Sequence, residues 1–216
     1  MTQNSFFDTN VILNYGKFTK NTKSEIIKKC YEYIRDKKGK FIICYFLEQE
    51  IKKVINKNKI MHKEIIEKIK NESYEIGSSI ESGILKSKDI ANTRRLYELK
   101  KNISLNILSN AFLEDEIYLE MNIEHFLKAK VDEKVIPIDQ IDINLVKKLN
   151  DYIDNYADCN MLASALQFQK DKEIFLFVSV DNKDFGSNGY DFLKEQFQID
   201  YPKEDYKFPE LLMLSG

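Results

Sequence analysis

Three short stretches of the chain are apolar on both faces of an extended strand: Ser5-Phe6-Phe7, Phe41-Ile42-Ile43-Cys44 and Phe175-Leu176-Phe177-Val178-Ser179-Val180. Strands without a polar face belong inside a parallel sheet that helices cover on both sides. A fourth candidate is Val135-Ile136-Pro137-Ile138, where Pro137 lacks the backbone donor a central strand needs and so points to an edge. A weaker fifth falls at Phe197-Gln198-Ile199. Between these runs the apolar positions recur with helical period, over roughly 21–36, 46–70, 142–154 and 157–169. Alternation of strand and helix predicts an α/β fold with a central parallel sheet. Residues 71–133 break the alternation. They read as mixed-charge helices with apolar positions Leu96, Leu99, Ile103, Ile107, Leu108 and Phe112, a helical insertion within one domain spanning 1–216.

Composition narrows this picture only slightly. A length of 216 residues suits one sizeable α/β domain, and the scarcity of breakers (7 Gly, 3 Pro) leans it towards helix. No apolar run approaches a bilayer span, and the N-terminus lacks the pattern of a signal peptide. Cys30, Cys44 and Cys159 are odd in number and show no paired spacing, so they read as reduced thiols of a cytoplasmic protein away from membranes. The charge is unevenly spread. Residues 1–70 carry 16 Lys and Arg against 8 Asp and Glu, and the remainder carries 17 against 27. A basic first third can attract a polyanion, but on this feature alone a solvated lysine-rich surface is the favoured account.

The candidate chemistry is carried by carboxylates. The two histidines, His62 and His125, have no second ligand at metal spacing, which argues against structural zinc and against a histidine-dependent triad. No glycine-rich phosphate loop is present. Asp8 directly follows the first strand, the edge at which parallel sheets bind ligands, though it could equally cap a helix starting near Val11. In the helix after the second strand, Leu47, Ile51, Val54 and Ile55 form a stripe. Glu50 borders that stripe, while Glu48 points further away and can pair with Lys52. Asp158 shares a helical face with Met161, Leu162 and Ala165. A charge buried there needs a partner, and Asp154 one turn earlier could join it. Asp181 ends the strongest strand, as Asp8 ends the first, and Asp184 follows as a supporting acid or a turn residue. Four acids delivered to one sheet edge would repel unless some protonate or a hard divalent cation binds. Mg²⁺ or Mn²⁺ suits oxygen ligands of this kind, and such an ion is equipped for phosphodiester hydrolysis.

These residues resemble the motifs of PIN-domain nucleases. Phe6-Phe7-Asp8-Thr9-Asn10-Val11-Ile12-Leu13 looks like that family's opening motif and Leu47-Glu48-Gln49-Glu50-Ile51 like its second. Asp158-Cys159-Asn160-Met161-Leu162-Ala163-Ser164-Ala165 looks like its third and Val178-Ser179-Val180-Asp181-Asn182-Lys183-Asp184-Phe185 like its fourth. The resemblance covers roughly 1–55 and 135–190. It implies a three-layer α/β/α sandwich, and cleavage of RNA with Mg²⁺ or Mn²⁺ held by Asp8, Glu50, Asp158 and Asp181. It further implies that Asn10 orients the first acid by hydrogen bonding, and that Ser179 is the small hydroxyl preceding the fourth acid. Toxins of toxin–antitoxin pairs, the VapC type, belong to the family. The resemblance thus brings an antitoxin, another protein or a second copy of the chain into view as partners, while the length and the 71–133 insertion depart from the short toxin pattern. Two other readings compete. One is a non-catalytic module that keeps the fold to bind RNA or protein. The other is a phosphoryl-accepting protein with Asp8 as nucleophile, disfavoured because position 10 is Asn where a D-x-D motif needs an acid.

Overall fold

A computed structural model describes residues 3–36, 38–169, 175–183, 185–204 and 206–215. The chain resolves into two compact units, one made of 1–51 with 121–216 and one made of 52–120.

The first unit is built on a five-stranded, all-parallel sheet in the order β3-β2-β1-β4-β5. Its strands are β1 (Ser5–Phe7), β2 (Phe41–Cys44), β3 (Glu133–Val135), β4 (Leu176–Ser179) and β5 (Glu210–Met213). Helices α1 (Thr9–Gly16) and α2 (Glu25–Arg35) connect β1 to β2. Helices α6 (Ile143–Leu149) and α7 (Tyr156–Gln169) lead into β4, and α8 (Ser187–Asp200) joins β4 to β5. Because parallel crossovers are right-handed, connections running in opposite directions along the sheet put their helices on opposite faces. The aromatic contacts follow that rule. Phe7 meets Tyr33 of α2, Phe41 and Phe126 on one face, at 6.2, 4.8 and 5.7 Å between ring centres. Its neighbour Phe6 points the other way, to Phe175 and Phe177, which in turn meet Phe168 of α7 and Phe185. The fold is a three-layer α/β/α sandwich. β1, β2 and the last three residues of β4 are fully buried, as strands without a polar face must be.

Several elements differ from the sequence reading. Phe197-Gln198-Ile199 lies inside α8, where Tyr190, Leu193 and Phe197 form a buried stripe at helical spacing that outweighs the local β propensity. The fifth strand is instead Glu210–Met213, at the sheet edge beside β4. β3 ends before Pro137, and Ile136 with φ 50° turns the chain away, a backbone that β-branched residues rarely adopt. The helix expected over 142–154 stops at Leu149. Gly186 starts α8 where an added Cβ would lie 2.5 Å from the Asn182 carbonyl oxygen, so the turn after β4 closes only around glycine. Cys30, Cys44 and Cys159 are buried and form no disulfide. Among the described residues no helix is long and apolar enough to cross a membrane.

The second unit is helical. It contains the later part of α3 (Tyr45–Lys70), α4 (Ser87–Lys100) and the earlier part of α5 (Leu105–His125). It begins at Lys52, inside α3, whereas the sequence pattern marked an insertion at 71–133. Its core is Ile65, Leu108 and Phe112, flanked by Ile66, Ile69, Leu96, Tyr97 and Ile103, while Leu99 and Ile107 are exposed. His62 stacks on Phe112 at 4.0 Å and bonds Glu116 at 2.7 Å. One carboxylate organises the 71–85 segment. Glu64 is buried and accepts from the Tyr74 hydroxyl (2.9 Å), the Gly77 N–H (2.6 Å) and the Ser79 hydroxyl. Removing it strands three donors, so Glu64→Ala is expected to cost roughly 2–4 kcal/mol. Denaturant unfolding with amide exchange over 72–82 checks this; unchanged protection there would mean the segment is held by other contacts.

Candidate active site

The order β3-β2-β1-β4-β5 places a switch point between β1 and β4. Beyond the carboxyl ends of those two strands is the crevice in which open parallel sheets bind ligands. Asp8 leaves β1 there and Asp181 leaves β4 two residues after Ser179. The pairing Phe7 to Val178 sets the two exits side by side.

Asp8 is fully buried. It stands at the N-cap position of α1, without a well-formed capping hydrogen bond from its side chain. One carboxylate oxygen, Oδ2, accepts from Ser179 Oγ at 2.8 Å. The other, Oδ1, is buried without a hydrogen-bond partner among the described residues. Burial pushes the Asp8 carboxyl up to about 7, and the charges of Glu50 and Asp181 push in the same direction. The Ser179 hydroxyl and, more weakly, the Asn10 backbone N–H oppose them. Asn10 therefore acts on Asp8 through its backbone. Ser179, itself buried, also accepts the Asp181 N–H at 3.0 Å, so one hydroxyl ties the ends of β1 and β4 together. Asp181 accepts the Lys183 N–H at 2.8 Å, which closes a turn of the kind aspartate favours. Asp184 lies outside the described residues.

Glu50 arrives from the second turn of α3. Its Oε2 accepts from Thr9 Oγ1 at 2.6 Å, which holds it next to Asp8. Glu48 goes elsewhere: it pairs with Lys134 of β3, opposite Ile43 of β2, and not with Lys52. Of the two, Glu50 is the acid delivered to the switch point. Thr9 carried no role in the sequence reading. Its signal was its place in the first turn after Asp8, which only the position of α3 makes meaningful.

Asp158 is the third residue of α7 and is 3 % exposed. Because α7 leads into β4 it runs against the strands, so its first turn lies at their carboxyl edge. One turn further on, Met161 Sδ sits 3.5 Å from Cys44 Sγ at the end of β2. Asn155 Nδ2 donates to Asp158 Oδ2 at 2.7 Å, an amide where a basic partner is absent from the local sequence. Asp154 does not join the acids. Its side chain is 90 % exposed and its contact is Lys183 Nζ at 3.4 Å. Cys30 lies behind Asp8, and burial first and the Asp8 charge second push its thiol up to about 12, so it stays protonated.

Glu50 and Asp181 therefore each act on Asp8, and Asp158 lies on the same edge. No three of the described carboxylates, histidines and cysteines are grouped closely enough to clasp an ion. A separate groove of about 510 Å³, lined by Gln3, Ser5, Tyr33, Leu176 and Met213 among others, includes none of the four acids. No protein-family model, curated protein or solved structure matches the chain. The functional reading rests on the site itself.

Proposed function

We propose that the chain is a Mg²⁺- or Mn²⁺-dependent ribonuclease with a PIN-like site. The observation that carries this is Asp8 Oδ1, a buried carboxylate oxygen without a hydrogen-bond partner among the described residues, at the switch point of a parallel sheet, with two further acids pressing on it. A buried unpartnered carboxylate oxygen costs several kcal/mol unless the group holds a proton or a cation meets it, and the second is what a metal site supplies at neutral pH and above. The donor set is all oxygen, which fits a hard divalent ion and not zinc. Asp8, Glu50 and Asp181 would hold the ion, with Asp158 as the fourth acid. When bound, such an ion lowers the pKa of water and neutralises charge on a phosphodiester. The chain's own part is orientation. Ser179 fixes the carboxylate plane of Asp8 and its spacing from Asp181.

The test is manganese titration by calorimetry together with cleavage of a labelled single-stranded RNA, with and without chelator. Cleavage abolished by chelation supports the proposal, and cleavage that survives it removes the metal from the mechanism. Glu48→Gln is expected to leave Mn²⁺ affinity within about twofold, and Glu50→Gln to weaken it at least about tenfold, since only the second removes a ligand. Equal effects of the two would undo the assignment of Glu50. The open spacing of the acids favours a second reading, a PIN-like scaffold that binds RNA or a protein partner without cutting. That reading expects no specific manganese uptake. An antitoxin, another protein or a second copy of the chain as partner remains part of the proposal, as does a cytoplasmic location.

A further inference from the structure

We infer that Thr9 is a positioning residue for the metal site: its hydroxyl locks Glu50 beside Asp8 and so sets the affinity of the site for its divalent ion. The inference rests on the nuclease reading above.

Four observations carry it. The Thr9 hydroxyl donates to Glu50 Oε2 at 2.6 Å, in the short range that a carboxylate acceptor gives. Thr9 is 4 % exposed and stands in the first turn of α1, directly after Asp8, so its backbone moves with Asp8. Its β-branched side chain has little freedom at χ1. Glu50 is the opposite case. It hangs from a different element, α3, 41 residues along the chain, and a glutamate side chain loses on the order of 1.5–2 kcal/mol of rotamer freedom when it is fixed. The stiff residue thus holds the floppy one at the point where Glu50 acts on Asp8. Without that bond, more of the ordering of Glu50 falls to the metal-binding event itself, against the repulsion of its neighbours. With it, part of that ordering is already done when the protein folds.

Thr9→Val keeps the shape and deletes the hydroxyl, and Thr9→Ser keeps the hydroxyl. For Thr9→Val, Mn²⁺ binding measured by calorimetry and by electron paramagnetic resonance is expected to weaken about 10- to 100-fold, the range seen when a hydrogen-bond partner of a metal ligand is removed. Thr9→Ser is expected to stay within a few-fold of the parent. In cleavage assays the Mn²⁺ concentration for half-maximal activity should rise for Thr9→Val, while kcat at saturating Mn²⁺ stays within a few-fold, because an affinity defect can be filled by mass action and a misfolded site cannot. Circular dichroism of each variant establishes that the fold is retained. Thr9→Val with unchanged Mn²⁺ affinity, alongside a Glu50→Gln that loses it, overturns the role of Thr9 and leaves the nuclease reading standing. Thr9→Ser failing as badly as Thr9→Val also overturns it, because the hydroxyl would then not be the operative group. No Mn²⁺ uptake by the parent protein overturns both.

Discussion

Asp8→Asn and Asp181→Asn are each expected to lower Mg²⁺-dependent RNA cleavage by about 10³-fold or more. Their neighbour Asp154→Asn should leave it within a few-fold. The magnitude follows from what the acids are proposed to do. A bound divalent ion contributes several kcal/mol of charge stabilisation to phosphodiester hydrolysis, and each 1.36 kcal/mol is about tenfold in rate. The contrast follows from position. Asp8 is buried against Ser179 and shares its field with Glu50 and Asp181, whereas Asp154 sits in solvent beside Lys183. An exposed pair of that kind contributes little. Asp158→Asn separates two roles for the fourth acid. As a ligand it should lose Mn²⁺ affinity and cleavage together. As a helix-start acid held by Asn155 it should lose neither, because an amide oxygen can accept the same bond. Initial rates at fixed RNA over a Mg²⁺ series, run beside calorimetric Mn²⁺ titrations, decide these cases. Asp154→Asn falling with the others would mean that the acids work through surface charge and not through a bound ion.

Asp8, Glu50 and Asp181 could be found in the sequence because each lies soon after an apolar strand, and a parallel sheet collects such exits at one edge; Asp158 was found instead from its place on the apolar face of α7. β1, β2 and β4 were legible for a related reason: buried on both faces, they carry no charged residue. β5 was not. At the edge it is only half covered, and Glu210-Leu211-Leu212-Met213 has no β-branched residue to mark it. α8 was misread at Phe197-Gln198-Ile199 because three residues look like a strand until Tyr190 and Leu193 extend the period. The partners of the acids were invisible for a different reason. Glu48 meets Lys134 because β2 pairs with β3, and Thr9 meets Glu50 across α1 and α3. Neither contact has any echo in local spacing. Asp158 was expected to need a partner because it is a charge on a buried helical face. The structure shows a nearer solution for one of its oxygens in Asn155, one turn before it.

In the absence of metal, Asp8→Asn is expected to make the protein more stable above pH 7. The Asp8 carboxyl is pushed from an ordinary 3.8 up to about 7 by burial and by its acidic neighbours. The folded protein therefore holds this proton more tightly than the unfolded chain does. Stability falls with rising pH wherever the folded state binds the extra proton, which for this group is the window between about 4 and 7. Below that window both states are protonated and the contribution is at its best. Above it the folded state carries a buried, repelled carboxylate, at a cost that approaches roughly 4 kcal/mol if the full displacement acts at 1.36 kcal/mol per unit, and that is a ceiling. Asparagine keeps an oxygen to accept the Ser179 hydroxyl and carries no charge, so the variant should lack this decline. Divalent ion should reverse the order, because a ligand that binds only the folded parent stabilises it by an amount that grows with the logarithm of its concentration. Binding must also displace the Asp8 proton, so Mn²⁺ affinity should weaken as the pH is lowered through 7. Urea unfolding of parent and Asp8→Asn from pH 5 to 9, with chelator and then with Mn²⁺, tests both halves. Parallel curves in chelator would mean that Asp8 does not hold its proton in the folded state, and an equal gain from Mn²⁺ in both proteins would place the ion elsewhere.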